Sequence, residues 1–156
     1  MFSTIVVGTD GSPTAAVAVD HAHRLAAAAK SELVVVNAYR PADHVLLAGL
    51  DDAEMFLDDR ADHDRADPHT DAESLVAHFV RAAADDGVTA EGIVRPGGAA
   101  KVLAEVAVWK RADLLVVGDR GLHGGRRLLG SVANHLSHHA PCSLLIVPTE
   151  PRPLLR

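Results

Sequence analysis

Short, unbroken runs of apolar residues recur along this chain, with amphipathic segments between them. The runs are continuous rather than alternating, which is typical of strands that are buried on both faces of a sheet. Four runs are strong, and a fifth is weaker. The predicted strands are Ile5–Val7, Leu33–Val36, Thr89–Arg95, Leu114–Val117 and Leu144–Val147.

The segments between the strands carry helical signals. Ser12 is a natural N-cap for a first helix, because Pro13 follows at the position where a missing N–H costs nothing. A second helix is predicted to open with the capping-box pattern Thr70–Glu73 and to stop at Gly87. A third is predicted over Ala99–Lys110, and a fourth from near Ser131 to a point before Pro141.

The regular alternation of strand and helix predicts an α/β fold with a five-stranded parallel sheet. Right-handed crossovers would make it doubly wound, a Rossmann-like three-layer sandwich. The length of 156 residues fits one domain, which we assign to residues 1–150 with a C-terminal tail over 151–156. Residues 40–69 do not fit the alternation, and we interpret them as an acidic surface insert.

Composition narrows the class of protein. Aromatic residues make up 3% of the chain, so the core is expected to consist of Ala, Val and Leu, with Trp109 packing late in the third helix. The single cysteine, Cys142, agrees with a reducing compartment, and we expect it to be buried and inert. No apolar run approaches the ~20 residues of a membrane helix, and the opening segment lacks a basic leader. We therefore expect a cytoplasmic protein without membrane contact.

The formal charge of −6 is unevenly placed. Residues 51–71 hold nine acids against two arginines, which contribute −7, so the rest of the chain sums to +1. A near-neutral domain with an acidic insert lacks the basic face that phosphate neutralisation requires. The charge pattern therefore argues against nucleic acid as a partner.

A glycine-rich segment follows the fourth strand. Gly118 lies where a buried strand ends, which is the side of an open α/β sheet that binds ligands. Gly130 and Ser131 then precede a helix, whose free N–H groups and partial positive charge suit a phosphate. The Ser131 hydroxyl could cap that helix or donate to a phosphate oxygen. The spacing of the glycines alone does not distinguish a phosphate-binding loop from a connecting loop that binds no ligand. Cationic side chains in the segment are Arg120, Arg126 and Arg127.

Other polar candidates each have a structural alternative. Asp10 could bind a ligand or hydrogen-bond the backbone of its own turn. His135, His138 and His139 invite a metal hypothesis, but a solvated helix face is the preferred interpretation, and no metal site is predicted. No nucleophile–base pair is evident in the sequence.

The glycine segment resembles the ATP-binding branch of the universal stress protein family. That family's motif is Gly-x2-Gly-x9-Gly-Ser/Thr, and Gly118-x2-Gly121-x8-Gly130-Ser131 has all four anchors with a spacer one residue shorter. The opening Ile5–Ser12 resembles the family's first strand and turn, and His138–Cys142 resembles its entry to the last strand. The similarity covers nearly the whole chain except the acidic insert.

The resemblance implies an adenine nucleotide alpha hydrolase-like fold and a role for individual residues. Asp10 would contact adenosine, and the backbone of Ala38 would meet the adenine base. Gly118 and Gly121 would wrap the ribose and phosphates, and Gly130–Val132 would hold the phosphate tail. The predicted nucleotide site comprises Thr9, Asp10, Ala38, Val117, Gly118, Arg120, Gly121, Gly130, Ser131 and Val132.

The resemblance also implies a function. We expect a stress-response sensor or adaptor that binds ATP, AMP or ADP, with Mg²⁺ as a candidate cofactor. We also expect it to form a homodimer through Ser143–Val147. It would not be a metabolic enzyme, and at most a slow ATPase; a nucleotide-free interaction module is the alternative. The short spacer makes adenosine binding the firmer expectation and a preference for triphosphate the weaker one.

Overall fold

Strands and helices alternate strictly in the computed structural model, which describes residues 2–40, 67–119 and 129–149. The tail and most of the predicted acidic insert lie outside these residues. The elements are β1 (Thr4–Gly8), α1 (Pro13–Ala29), β2 (Glu32–Tyr39), α2 (Pro68–Asp85), β3 (Ala90–Pro96), α3 (Ala99–Trp109), β4 (Leu114–Gly118), α4 (Ser131–His139) and β5 (Ser143–Val147).

The five strands form one parallel sheet in the order β3-β2-β1-β4-β5. The chain first winds from β1 to β3, then crosses back to place β4 on the other side of β1. This confirms the doubly wound α/β prediction, and it places β5 at an edge of the sheet as expected. The winding reverses between β1 and β4, so that α1, which follows β1, and α4, which follows β4, pack on opposite faces of the sheet. A crevice is expected at such a reversal.

Each face of the sheet packs against two helices. Successive residues of a strand point to opposite faces, so alternate residues pack against different pairs of helices. Ile5 and Val7 pack with α1 and α2, whereas Val6 packs with α3 and α4. The largest fully buried side chains are aliphatic, in agreement with the composition. No described helix is both long and apolar enough to cross a membrane.

Helix starts show where local signals were sufficient and where they were not. The Ser12 side chain accepts a hydrogen bond from Ala15 N at 3.1 Å, which confirms the predicted cap of α1. The predicted start of α2 at Thr70–Glu73 was wrong. Asp67 caps this helix by accepting from His69 N, and Pro68 takes the first helical position. An Asp-Pro pair is also a good signal for the start of a helix. The helix therefore begins almost a full turn before the predicted start.

Two side-chain predictions need correction. Trp109 is 59% exposed rather than packed inside, with the Arg95 guanidinium 5.2 Å and Lys110 Nζ 4.8 Å from its ring centroid. Cys142 is half-buried and lies just before β5 rather than deep in the core. Even this partial burial raises the pKa of the Cys142 thiol, so the thiol stays protonated at neutral pH.

Gly92 in β3 allows α2 to approach the sheet, and this generates a test of packing. A Cβ at Gly92 would overlap with Cγ1 of the buried Val76 on α2. Gly92→Ala should therefore destabilise the protein by about 1–3 kcal/mol in guanidinium unfolding, as overpacking does. The Val76→Ala background should relieve most of this loss in a double-mutant cycle.

Gly98→Ser is the matched control, because Gly98 has no atoms near its would-be Cβ and lies at the N-cap of α3, where Ser is favoured. Its stability should equal or exceed that of the wild type. A Gly92→Ala protein as stable as the wild type would contradict the close approach of α2.

Asp113 ties the start of β1 to the start of β4. Its carboxylate accepts hydrogen bonds from Ser3 N at 2.7 Å and Thr4 N at 3.0 Å. These bonds lower the pKa of Asp113, so its contribution to stability is present above the unfolded value near 4 and is lost as the pH falls through the folded value.

Asp113→Asn should therefore melt at a lower temperature than the wild type at pH 7, and the gap should narrow as the pH falls below about 4. Thermal melts by circular dichroism at a series of pH values measure this. Asp85→Asn is the control, because Asp85 is an exposed acid without such bonds in the described part of the chain. A gap for Asp113→Asn that stays constant down to pH 3 would exclude the carboxylate as the cause.

Candidate functional site

A cavity opens at the carboxyl edge of the sheet, above the point where the winding reverses. The ends of β1, β2 and β4 and the start of α4 meet there, with α1 and α3 at the sides. Parallel strands place all their carboxyl ends at one edge, which is why segments so far apart in sequence converge. The lining residues are Gly8, Thr9, Asp10, Ala15, Val36, Ala38, Ala99, Leu103, Val117, Gly118, Gly130, Ser131, Val132 and Ala133.

The turn after β1 is held by buried polar groups. Thr9 N donates to Val36 O at 2.9 Å, and the Asn37 side-chain amide donates to Thr9 O at 2.9 Å. The Thr9 hydroxyl oxygen accepts from Gly11 N at 3.2 Å. These bonds fasten the turn to β2, so Thr9 and its neighbour Asp10 have a defined position at the cavity wall.

Asp10 makes the local turn contacts that its sequence position suggested, and it also lies at the cavity. Its Oδ1 accepts from Ser12 N at 3.0 Å and from the Ser12 hydroxyl at 2.6 Å, which is the local turn role. The residue is also exposed and lines the cavity. Within the described ranges the hydrogen bonds to this carboxylate fall on Oδ1, which leaves Oδ2 available to a ligand hydroxyl.

The start of α4 supplies donors at the opposite side of the cavity. Gly130 is the N-cap, with φ −57° and ψ 154°, and among the described residues no side chain caps the helix. Ser131 is thus the first helical residue, and the idea that its hydroxyl caps α4 was wrong. Its hydroxyl and the first N–H groups of α4 lie beside the cavity, where the helix dipole favours an anion.

The rest of the wall is apolar and built from small or aliphatic side chains. Leu103 reaches the wall from α3, and a Cβ on Gly8 would lie 2.8 Å from its Cδ1, so Gly8 leaves room for it. Val36 and Ala38 contribute from β2. Of the described lining residues, three carry polar side chains, namely Thr9, Asp10 and Ser131. The cavity can therefore take a flat apolar group on one side and an anionic group at the start of α4.

The structure brings together every predicted site residue that it describes. Thr9, Asp10, Ala38, Val117, Gly118, Gly130, Ser131 and Val132 all line the cavity. Arg120 and Gly121 lie outside the described residues, as do Arg126 and Arg127. Contact of any of these residues with a ligand stays a prediction.

Sequence reasoning missed several residues that shape the site. Leu103 and Gly8 form part of the wall, and Asn37 holds the turn after β1. Asn37 gave a usable signal, since an amide at the end of the apolar run Leu33–Val36 must find a partner when buried. Leu103 gave none, because a core leucine and a wall leucine look alike in sequence.

The histidines of α4 form a separate surface cluster. The rings of His135 and His139 stack with centroids 4.5 Å apart, and His139 Nδ1 lies 3.0 Å from His135 O. Among the described residues, no group of three or more His, Cys, Asp or Glu side chains is arranged to hold a metal ion.

Comparisons with known proteins agree with the geometry. The model of the universal stress protein family matches residues 1–148. The universal stress protein encoded in the QAH/OAS sulfhydrylase 3′ region of Thermus aquaticus is 34% identical over 157 residues, which cover 94% of this chain and 99% of the relative.

Solved structures show the same likeness. A universal stress protein in complex with cAMP is 30% identical, with a TM-score of 0.69 over 96% of this chain and 98% of its own. A universal stress protein family protein from Arabidopsis thaliana with AMP bound has a TM-score of 0.62 over 94% of this chain and 91% of its own. At 18% identity, that second likeness bears on the fold alone.

The family model extends from the first residue to the end of β5, and the Thermus relative is similar over almost its whole length. The chain therefore belongs to the universal stress protein family.

Proposed function

We propose that this protein binds an adenine nucleotide in the cavity and acts in the stress response as a sensor or adaptor. The proposal rests on one observation: a single cavity has both an apolar wall and the start of α4 among its lining residues. A nucleotide has the matching division into a flat base and an anionic phosphate. That the 30% identical relative is in complex with cAMP supports adenine as the base.

The base and ribose fit the β1–β2 side of the cavity. Ala38 follows the buried part of β2, and its small side chain leaves space beside Leu103 for a flat ring. Asp10 lies at the end of β1, where its Oδ2 could accept a hydrogen bond from a ribose hydroxyl. This side explains selection of a nucleoside rather than of a bare phosphate.

The phosphate fits at Gly130 and Ser131. No side chain in the described part of the chain caps α4, which supports an anion at its first N–H groups, and the Ser131 hydroxyl adds a further donor. The short spacer between Gly121 and Gly130 favours a monophosphate or diphosphate at least as much as ATP. We expect Mg²⁺ to arrive with ATP, held mainly by phosphate oxygens.

We further propose a cytoplasmic homodimer in which nucleotide is a signal rather than a substrate. β5 is an edge strand, and Leu144, Leu145 and Ile146 on it are only half-buried in the single chain. An uncovered apolar edge invites strand pairing. Among the described residues that line the cavity, Asp10 is the one with an ionisable side chain, and we propose that ATP turnover is slow at most.

Nucleotide binding is tested by calorimetry with AMP, cAMP, ATP and adenosine, after acid extraction of any nucleotide that co-purifies. Ser131→Ala should weaken AMP binding about tenfold, because a hydrogen bond to a charged phosphate is lost, and should leave adenosine binding unchanged. Ser137→Ala, on the same helix but with its hydroxyl bonded to Asn134 O, is the matched control.

Three results would count against this assignment. Absence of both co-purifying nucleotide and heat of binding at millimolar ligand would favour a nucleotide-free interaction module. If Ser131→Ala weakened AMP and adenosine binding equally, the phosphate would not bind at the start of α4. Turnover of many ATP per minute would favour an enzyme.

The dimer is tested by light scattering at tens of micromolar, where the mass should be twice the 16.4 kDa of the chain. Ile146→Lys should shift the mass toward one chain, because a lysine on an edge strand opposes pairing. Trp109→Ser removes the exposed aromatic of α3 and should leave the mass unchanged. A monomeric wild type, or a dimer lost only in Trp109→Ser, would rule out pairing through β5.

A further inference from the structure

Asp119 is a buried acid directly after β4, next to the cavity residue Gly118. It is 5% exposed, which is unusual for a carboxylate and requires compensating hydrogen bonds. Asp119 is not itself among the cavity-lining residues. Its burial therefore needs an explanation other than direct contact with a ligand.

The main chain of Asp119 joins three elements. Its carbonyl oxygen accepts from Gly130 N at 2.8 Å, and its N–H donates to Val147 O at 2.8 Å. The first bond connects the end of β4 to the N-cap of α4, and the second connects it to the end of β5. Gly118 and Gly130, both at the cavity wall, are thereby held at a set distance.

The side chain of Asp119 fastens this junction to the chain beyond β5. Its Oδ1 accepts from Thr149 N at 2.9 Å and from the Thr149 hydroxyl at 2.7 Å. Two hydrogen bonds on one oxygen restrict the rotation of the side chain. The carboxylate thus restrains the main chain of the same residue that binds Gly130.

We infer that Asp119, clamped by Thr149, is a positioning residue for the phosphate of the bound nucleotide. It sets the separation between Gly118 and the Gly130–Ser131 start of α4, and it connects that separation to the β5 edge. The inference rests on the proposed function, because it concerns affinity at the same site. A displacement of a donor by a fraction of an ångström weakens a charged hydrogen bond.

Asp113 offers a matched control at the other end of the same strand. It also accepts two hydrogen bonds, from Ser3 N and Thr4 N, but it lies at the edge of the sheet opposite the cavity. Loss of either carboxylate should lower stability. Only loss of Asp119 should alter the geometry of the phosphate site.

The experiment measures AMP affinity and binding stoichiometry by calorimetry well below each melting temperature. Asp119→Ala should raise the AMP Kd about tenfold, and Thr149→Val should raise it by a smaller factor. Thr149→Ser keeps the hydroxyl and should match the wild type, as should Asp113→Ala. Stoichiometry should stay near one site per chain, whereas a merely structural role would lower the competent fraction and leave the Kd unchanged.

Amide hydrogen exchange of the ligand-free proteins provides a second readout. Exchange of Gly130 N–H should accelerate about tenfold or more in Asp119→Ala and remain at the wild-type rate in Asp113→Ala. An unchanged Kd in Asp119→Ala, or an equal rise in Asp113→Ala, would overturn the inference and leave the proposed function intact. If the wild type binds no adenine nucleotide, the proposed function fails. The inference about the phosphate fails with it, and Gly130 exchange then tests only whether Asp119 holds the start of α4.

Discussion

Burial of β1 on both faces is the constraint on which the rest of the structure depends. Ile5, Val6 and Val7 have no exposed surface, and β1 has a parallel neighbour on each side. Helices must then cover both faces of the sheet, two on each. Because β1 comes first in the chain and lies between β2 and β4, the chain adds strands on one side of it and then reverses to add them on the other. The crevice at its carboxyl end follows from that reversal.

The chemistry of the site follows from what the crevice collects. Gly8 and Gly118, the last residues of β1 and β4, leave space at the floor of the cavity, and Leu103 occupies one side. The start of α4 adds donors that no side chain in the described residues caps. If the proposed nucleotide binds here, main-chain groups and the shape of the cavity would provide most of its contacts with the described residues.

Local signals predicted the elements that depend on neighbouring residues. The continuous run at Leu33–Val36 predicted a doubly buried strand, and Ser12 with Pro13 predicted the start of α1. The start of α2 was misplaced because two capping signals, at Asp67 and Thr70, lie within one turn. Trp109 was misjudged because its helical position does not reveal that the ring lies beside Arg95 at the open side of β3.

The sequence by itself determined the α/β class, the family resemblance and the glycine and serine anchors of the candidate site. These rest on local periodicity and on motif spacing, which are properties of contiguous residues. Only the tertiary structure decided that Asn37 holds the turn after β1 and that Asp119 joins Gly130 to Thr149. Such contacts join residues some 10 to 30 positions apart, so they exist only once the strand order has been set.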